Sequence, residues 1–179
     1  MKKAVIFVAF IALLLVANTH IAGAQIAIYQ SNPLGLITKE RIKLEYRADD
    51  RNSVLLSLTQ YWGLCPGFQV FTEYRNYQQN SPKTEMFYYC KGGWGNGNEY
   101  GIAAGETGPF NYALAGGGVG LHFNLGASET FFFDMAGGLK AAIPLSAPGG
   151  SFQFFYISGP GSVVDFNFHL GVQLWSKNR

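Results

Sequence analysis

The chain has 179 residues, of which 13% are charged and 16% aromatic, with 23 glycines and 2 cysteines. That charged share is about half the roughly 25% of a soluble domain, and so much apolar side chain excludes a disordered acidic or basic chain. It also excludes a coiled coil, which needs runs of Ala, Glu, Lys and Leu.

Residues 1–24 read as a secretory signal peptide. Met1-Lys2-Lys3 is a short basic start, and Ala4 to Ala17 form an apolar run. A membrane-spanning helix needs about 20 apolar residues, so this run is too short for an anchor. Ala22 and Ala24 bracket a cleavage site before Gln25. No Cys follows that site, so a lipoprotein is not expected. Cleavage removes Lys2 and Lys3 and leaves residues 25–179 with no net formal charge. A nucleic-acid binder carries a basic excess or stripe, so no nucleic-acid partner is expected. The remaining length fits one domain.

After Gln25 the apolar pattern has period two, the signature of strands. Lys39, Arg41, Lys43, Glu45 and Arg47 share one face, against Ile42, Leu44 and Tyr46. Gln69, Glu73 and Arg75 oppose Phe68, Val70 and Tyr74. Asp134 and Lys140 oppose Phe131, Phe133, Met135 and Leu139. Asp165, Asn167, His169 and Gln173 alternate with Val164, Phe166, Phe168, Leu170, Val172 and Leu174.

A soluble sandwich gives the same alternation, with its polar face in water. The export signal, the few charges and the aromatics near strand ends favour the inverse arrangement. In a transmembrane barrel the apolar face meets lipid, the polar face lines the lumen, and aromatic girdles mark both interfaces. Tyr46, Tyr61, Trp62, Tyr74, Tyr77, Tyr88, Trp94, Tyr112 and Trp175 are placed as girdle residues. The pattern predicts an all-β, eight-stranded antiparallel up-and-down transmembrane barrel over residues 25–179.

The predicted strands are 25–31, 37–47, 53–63, 68–78, 84–94, 110–124, 129–141 and 162–175. Ala48 to Asn52, Gln78 to Lys83 and Leu125 to Glu129 are rich in turn residues. Outer-membrane barrels have short periplasmic turns and long external loops. With strand one running outward, the short turns fall inside, and the links at 32–36, 63–67, 95–109 and 142–161 fall outside. A rival reading drops the first strand and makes a hairpin of Phe152 to Ile157. It puts the long 95–109 link in the periplasm and ranks second.

Gly116, Gly118 and Gly120 lie on one inward face, where a narrow barrel needs small residues opposite large ones. A phosphate-binding loop would lead into a helix, and none follows. Eight strands enclose an interior that side chains can fill. The inward charges are Lys39, Arg41, Lys43, Glu45, Arg47, Glu73, Arg75, Lys91, Asp134, Lys140 and Asp165. Buried charges need partners, so a polar network that plugs the barrel is expected, with Glu73 paired to Lys91. The sharper alternative is a path for protons or small ions.

His122 and His169 also point inward, with Asp134 diagonally across a turn from His122. A His beside a carboxylate supports general-base chemistry only with a nucleophile nearby. Ser128 sits in a turn and Cys90 on the outward face, so catalysis is not expected. Cys65 and Cys90 lack a CxxC or a His at zinc spacing, so no metal is expected. Export permits a disulfide between them, but their strands place them at different heights. No cofactor is implied. Tyr100, Phe110, Phe152, Phe154, Phe155 and Tyr156 form a candidate adhesive patch on the external loops.

These residues resemble the small outer-membrane barrels of the OmpA/OmpX-like type, and are similar to barrels found in Bacteroidota. The likeness rests on Asn32-Pro33-Leu34-Gly35, Leu44-Glu45-Tyr46-Arg47, Asp50-Arg51-Asn52-Ser53, Gln60-Tyr61-Trp62-Gly63, Glu73-Tyr74-Arg75 and the stretch Gly159 to Asp165. It implies a bacterial outer-membrane location, contact with outer-membrane lipid and insertion by the barrel assembly machinery. It implies no reaction. Trp175 serves as the aromatic of the last strand, although Ser176 to Arg179 follow it. No peptidoglycan-binding domain is expected after the barrel. The expected role is therefore structural or surface-interacting, without catalysis. The competing expectation is a membrane-embedded hydrolase that deacylates lipid A. Those enzymes place a Ser two residues after a His, where this chain has Asn124 after His122 and Gly171 after His169.

Overall fold

The computed structural model describes residues 25–31, 39–61, 66–81, 83–98, 109–126, 130–145 and 163–175. The signal peptide, Trp62, Cys65, the 152–157 hairpin and every patch residue except Phe110 lie outside them. The described strands are β1 (Gln25–Ser31), β2 (Lys39–Arg47), β3 (Asn52–Tyr61), β4 (Gly67–Ser81), β5 (Thr84–Asn98), β6 (Pro109–Leu125), β7 (Phe131–Pro144) and β8 (Val164–Trp175). Each pairs antiparallel with the next, and β1 pairs with β8, so the sheet closes. The all-β, antiparallel, up-and-down reading of the sequence agrees with this topology. Closure leaves no open edge among the described strands.

Short turns at one end fix the register. In the β2–β3 turn the Asp49 carboxylate accepts hydrogen bonds from the Arg51 and Asn52 N–H groups, both at 2.7 Å, and from Asn52 Nδ2. The Asn52 side chain and these two N–H groups hold the Asp49 carboxyl below its usual range. The turn sets Arg47 opposite Ser53. In the β4–β5 turn Ser81 Oγ accepts from the N–H groups of Lys83 and Thr84. The β6–β7 turn starts at Gly126 with φ of 78°, a left-handed backbone that glycine adopts without steric penalty. This end is the turn end, and the opposite one the loop end.

Strands β4 to β7 run further toward the loop end than the sequence suggests. The β4–β5 ladder extends to Gly67 opposite Gly97. The stretch Gly95 to Asn98 reads as the start of a loop from its glycine content, yet it is sheet. The reason is steric. A side chain at Gly95 or Gly97 would strike the rings of Tyr112 or Phe110, which lie directly opposite on β6. The glycines leave room for those rings to fold over the sheet.

Parity sorts the side chains cleanly. Arg41, Lys43, Glu45, Glu73, Arg75, Asp134 and Asp165 are buried inside. Large apolar side chains face out: Leu139 is 66% exposed, Phe166 59% and Ile143 59%. Amides end the outward apolar stretch on β3 and β4 at the turn end. There Asn52 Oδ1 accepts from Tyr74 Oη at 2.6 Å and from Asn76 Nδ2 at 3.1 Å. Tyr46, Tyr74, Tyr88 and Trp94 are exposed on the outer wall, and Phe68 packs edge-on against Trp94. Three girdle assignments need correction. Tyr61, Tyr77 and Tyr112 point inward and are buried, because each shares parity with interior residues of its strand. Cys90 is exposed on the outer wall.

Candidate functional site

Among the described residues, polar and titratable groups converge in the interior. Near the turn end, Arg47 Nη2 meets Glu85 Oε2 at 2.7 Å. The Arg47 guanidinium lies 3.8 Å from the centre of the Tyr77 ring, a cation–π arrangement. Glu45 Oε1 accepts from Tyr77 Oη at 2.8 Å and from Ser53 Oγ.

The middle of the network is a relay of ion pairs. Lys43 Nζ lies 3.5 Å from Glu73 Oε2, and Arg75 Nε 2.7 Å from Glu73 Oε1. Arg75 Nη1 reaches Asp134 Oδ2 at 2.6 Å, and His122 Nδ1 lies 2.7 Å from Asp134 Oδ1. Arg75 also sits over the Phe87 ring at 4.2 Å. Each charge in this set is held by an opposite charge, as burial demands. A second group lies between β5 and β8. Lys91 Nζ and Tyr89 Oη both donate to Asp165 Oδ2, and Asn167 Nδ2 donates to Asp165 Oδ1 at 2.9 Å. Arg41 ties this group to β3, with Nη1 on Asn167 Oδ1 at 2.6 Å and Nε on Thr59 Oγ1 at 2.9 Å.

Apolar layers flank the ions. Phe71, Phe110, Tyr112 and Leu114 form a buried cluster toward the loop end. Above it Gln69 Oε1 accepts from both Tyr61 Oη and Tyr112 Oη. Tyr77, Phe87, Tyr89 and Ala136 form another cluster, and Ala27, Leu55 and Phe132 a third.

The structure places the sequence-derived candidates as follows. Arg41, Lys43, Glu45, Glu73, Arg75, Lys91, Asp134, Lys140 and Asp165 are buried inside, and Arg47 is partly so. Lys39 belongs to β2, but its side chain is not among those described. The expected Glu73–Lys91 pair is a correction. The register does set them directly opposite, yet Lys91 reaches across to Asp165 while Glu73 is taken by Arg75 and Lys43. Closure of the barrel brings β8 within reach of β5, and a two-strand register cannot reveal that. Phe110 is also a correction: it is 1% exposed and belongs to the interior, not to a surface patch.

His122 stands directly opposite Asp134 rather than diagonal to it. Its Nδ1 meets Asp134 and its Nε2 meets Asn124 Oδ1 at 3.2 Å, so neither ring nitrogen faces a hydroxyl or thiol. General-base activation needs such a contact. The His–Asp pair is a clamp shared with Arg75. Among the described residues no three His, Cys, Asp or Glu side chains come together to hold a metal.

Sequence reasoning missed Glu85 and Ser57 as interior groups. Parity could have found both: Glu85 shares a face with Lys91, and Ser57 with Ser53.

No family model and no curated protein matches this sequence. Among solved structures, the chain is similar to the N-terminal β-barrel domain of Pseudomonas aeruginosa OprF. The TM-score is 0.54 at 15% identity, and the match covers 84% of this chain and 96% of that one. This likeness shows that the chain has the fold of that barrel.

Proposed function

We propose that residues 25–179 form an eight-stranded transmembrane barrel of the bacterial outer membrane, exported by the signal peptide 1–24. Its interior is filled by its own side chains, and its role is structural or surface-interacting rather than catalytic. The observation that carries this reading is inverted polarity: charges inside, large apolar side chains outside. In water this arrangement would expose much apolar surface and bury many charges at a cost. In a bilayer the outward apolar surface meets lipid, and turning the charges outward would cost more than pairing them inside.

The dimensions agree. The outward face of β7 is Phe131, Phe133, Met135, Gly137, Leu139, Ala141 and Ile143, all apolar. At about 3.3 Å per residue this covers about 40 Å along the strand. With a tilt of roughly 40° it spans about 30 Å, enough for an apolar band of about 25 Å. The fold shared with the OprF barrel supports the same reading.

The test is heat-modifiability on a denaturing gel, using protein from the outer-membrane fraction. A closed barrel resists detergent until boiled, so unboiled and boiled samples should migrate differently. Identical migration together with recovery from the soluble periplasmic fraction would overturn the membrane reading.

A further inference from the structure

We propose that the barrel thins the lipid bilayer along one side, over β3 and β4, where its outward apolar band is shorter than on the opposite wall. The inference rests on the membrane reading above and adds the kind of lipid surface that this wall fits. On β3 the outward residues are Asn52, Val54, Leu56, Leu58 and Gln60, so an amide closes the band at each end. At about 3.3 Å per residue the strand covers about 26 Å between those amides. With a tilt of roughly 40° that is about 20 Å across the membrane, of which Val54 to Leu58 occupy about half. On the same reckoning β7 spans about 30 Å. On β8 the outward residues Val164, Phe166, Phe168, Leu170, Val172 and Leu174 continue the long band.

The rings of the short side agree. On β4 the outward rings at the two rims are Phe68 and Tyr74, about 20 Å apart along the strand and about 15 Å across the membrane. Aromatic girdles flank an apolar band of about 25 Å in barrels of this class. Both rings are held in place: Phe68 packs edge-on against Trp94, and Tyr74 Oη donates to Asn52 Oδ1 at 2.6 Å. Beyond Tyr74 come Asn76 and Gln78, with Gln78 Nε2 donating to Asn76 Oδ1 at 2.6 Å. At the other rim the register sets Glu40, Gln60, Phe68, Asn96 and Asn111 side by side on β2 to β6. That row carries a carboxyl and three amides, which marks the level of water on this side.

A bilayer as thick as the β7 band would bury these amides and the Glu40 carboxyl in hydrocarbon, at a cost for each polar group. Tilting the whole barrel moves the two bands up or down without changing either length. A bilayer accommodates a short band by thinning beside it, at a modest cost per ångström. The short wall therefore fits a thin hydrocarbon layer and compresses a thicker one, while β7 and β8 hold that layer at full thickness.

The test uses the full mature chain inserted in vesicles of monounsaturated phosphatidylcholines of increasing chain length, with urea unfolding as the readout. The proposal predicts that stability peaks in a thin bilayer and falls as the lipid chains lengthen. Gln60→Leu combined with Asn76→Leu and Gln78→Leu lengthens the short band and should move the peak to longer chains. A peak that stays where it was, or a native chain most stable in the thickest bilayer, would overturn the proposal. Nitroxides at Gln60→Cys and at Asn76→Cys, one at each rim, give a second readout once Cys65→Ser and Cys90→Ser are in place. Thinning keeps both labels open to a water-soluble nickel chelate in every bilayer. Loss of that access as the bilayer thickens refutes it. Strong spin–spin coupling between labels at Leu56→Cys would mean that a second copy covers this wall instead of lipid, which also refutes it. A chain that shows no heat-modifiability in any bilayer sinks the membrane reading itself, whereas an inserted barrel that fails the two readouts sinks the thinning alone.

Discussion

The two walls of this barrel solve the same packing problem in opposite ways. On β2 to β4 the inward positions carry long charged or polar chains, among them Arg41, Lys43, Glu45, Glu73 and Arg75. On β6 to β8 they include Gly116, Gly118, Gly120, Gly138 and Gly171. A Cβ at Gly120 would lie 2.3 Å from the Phe87 ring, and one at Gly171 2.0 Å from the Phe132 ring. One wall supplies bulk and charge, and the other supplies room. A narrow barrel requires that division, since large residues on every strand could not share one axis. The outer surface differs too. Stacked rings Phe123, Phe133 and Phe168 cover the glycine-bearing wall, whereas the charged wall shows Ile42, Val54 and Val70.

This contrast can be broken at its charges first. Asp134→Ala removes the partner of both Arg75 and His122 and leaves a buried guanidinium short of countercharge. Breaking one member of a buried pair costs about 3–5 kcal/mol, so urea unfolding from detergent micelles should show a loss of that size. Asp134→Asn, which keeps the shape, should lose part of it.

A charge placed on the outer surface comes next. Leu139→Arg should destabilise the chain in lipid vesicles by about 2–4 kcal/mol, the cost for a lipid-facing cation near the midplane. An Arg on a water-facing wall would cost almost nothing, so the same variant sharpens the membrane reading.

The glycine-bearing wall can be overfilled. Gly120→Val should lower stability by roughly 1–3 kcal/mol, the range for forcing extra volume into a packed interior. Pairing it with Phe87→Leu should recover part of the loss, because the clash is with that ring. Recovery from an unrelated interior truncation such as Tyr112→Leu is not expected.

The smallest effect lies in the β2–β3 turn. The Asp49 carboxyl is held below its ordinary value, so its contribution is fully present above the unfolded aspartate pKa of about 3.9. It is lost as pH falls through the lower folded value. Asp49→Asn should remove this dependence and leave stability nearly flat over that acid window in a pH series.

Much of this arrangement is legible in the sequence, because period-two alternation assigns each residue a face. The inward charges of β2, β4 and β8 stand out against Ile42, Tyr74 and Phe166. The aromatic residues are harder to assign. A Tyr near a strand end suits either a girdle or a lumen, and Tyr77 reveals its side only by following Arg75 at two residues. Gly95 and Gly97 look like loop because composition does not show the facing rings. Ion pairing across the barrel, as in Lys91–Asp165, depends on closure and stagger, which no strand specifies alone.

The central claim is that the outer wall faces lipid while the ions lie within. Cys90 offers a native probe of that wall. With Cys65→Ser, a nitroxide attached at Cys90 in the vesicle-inserted barrel reports its surroundings through its relaxation by two agents. The account predicts strong relaxation by oxygen, which concentrates in lipid, and little by a water-soluble nickel chelate. Strong relaxation by the nickel chelate and weak relaxation by oxygen would place that wall in water and contradict the account.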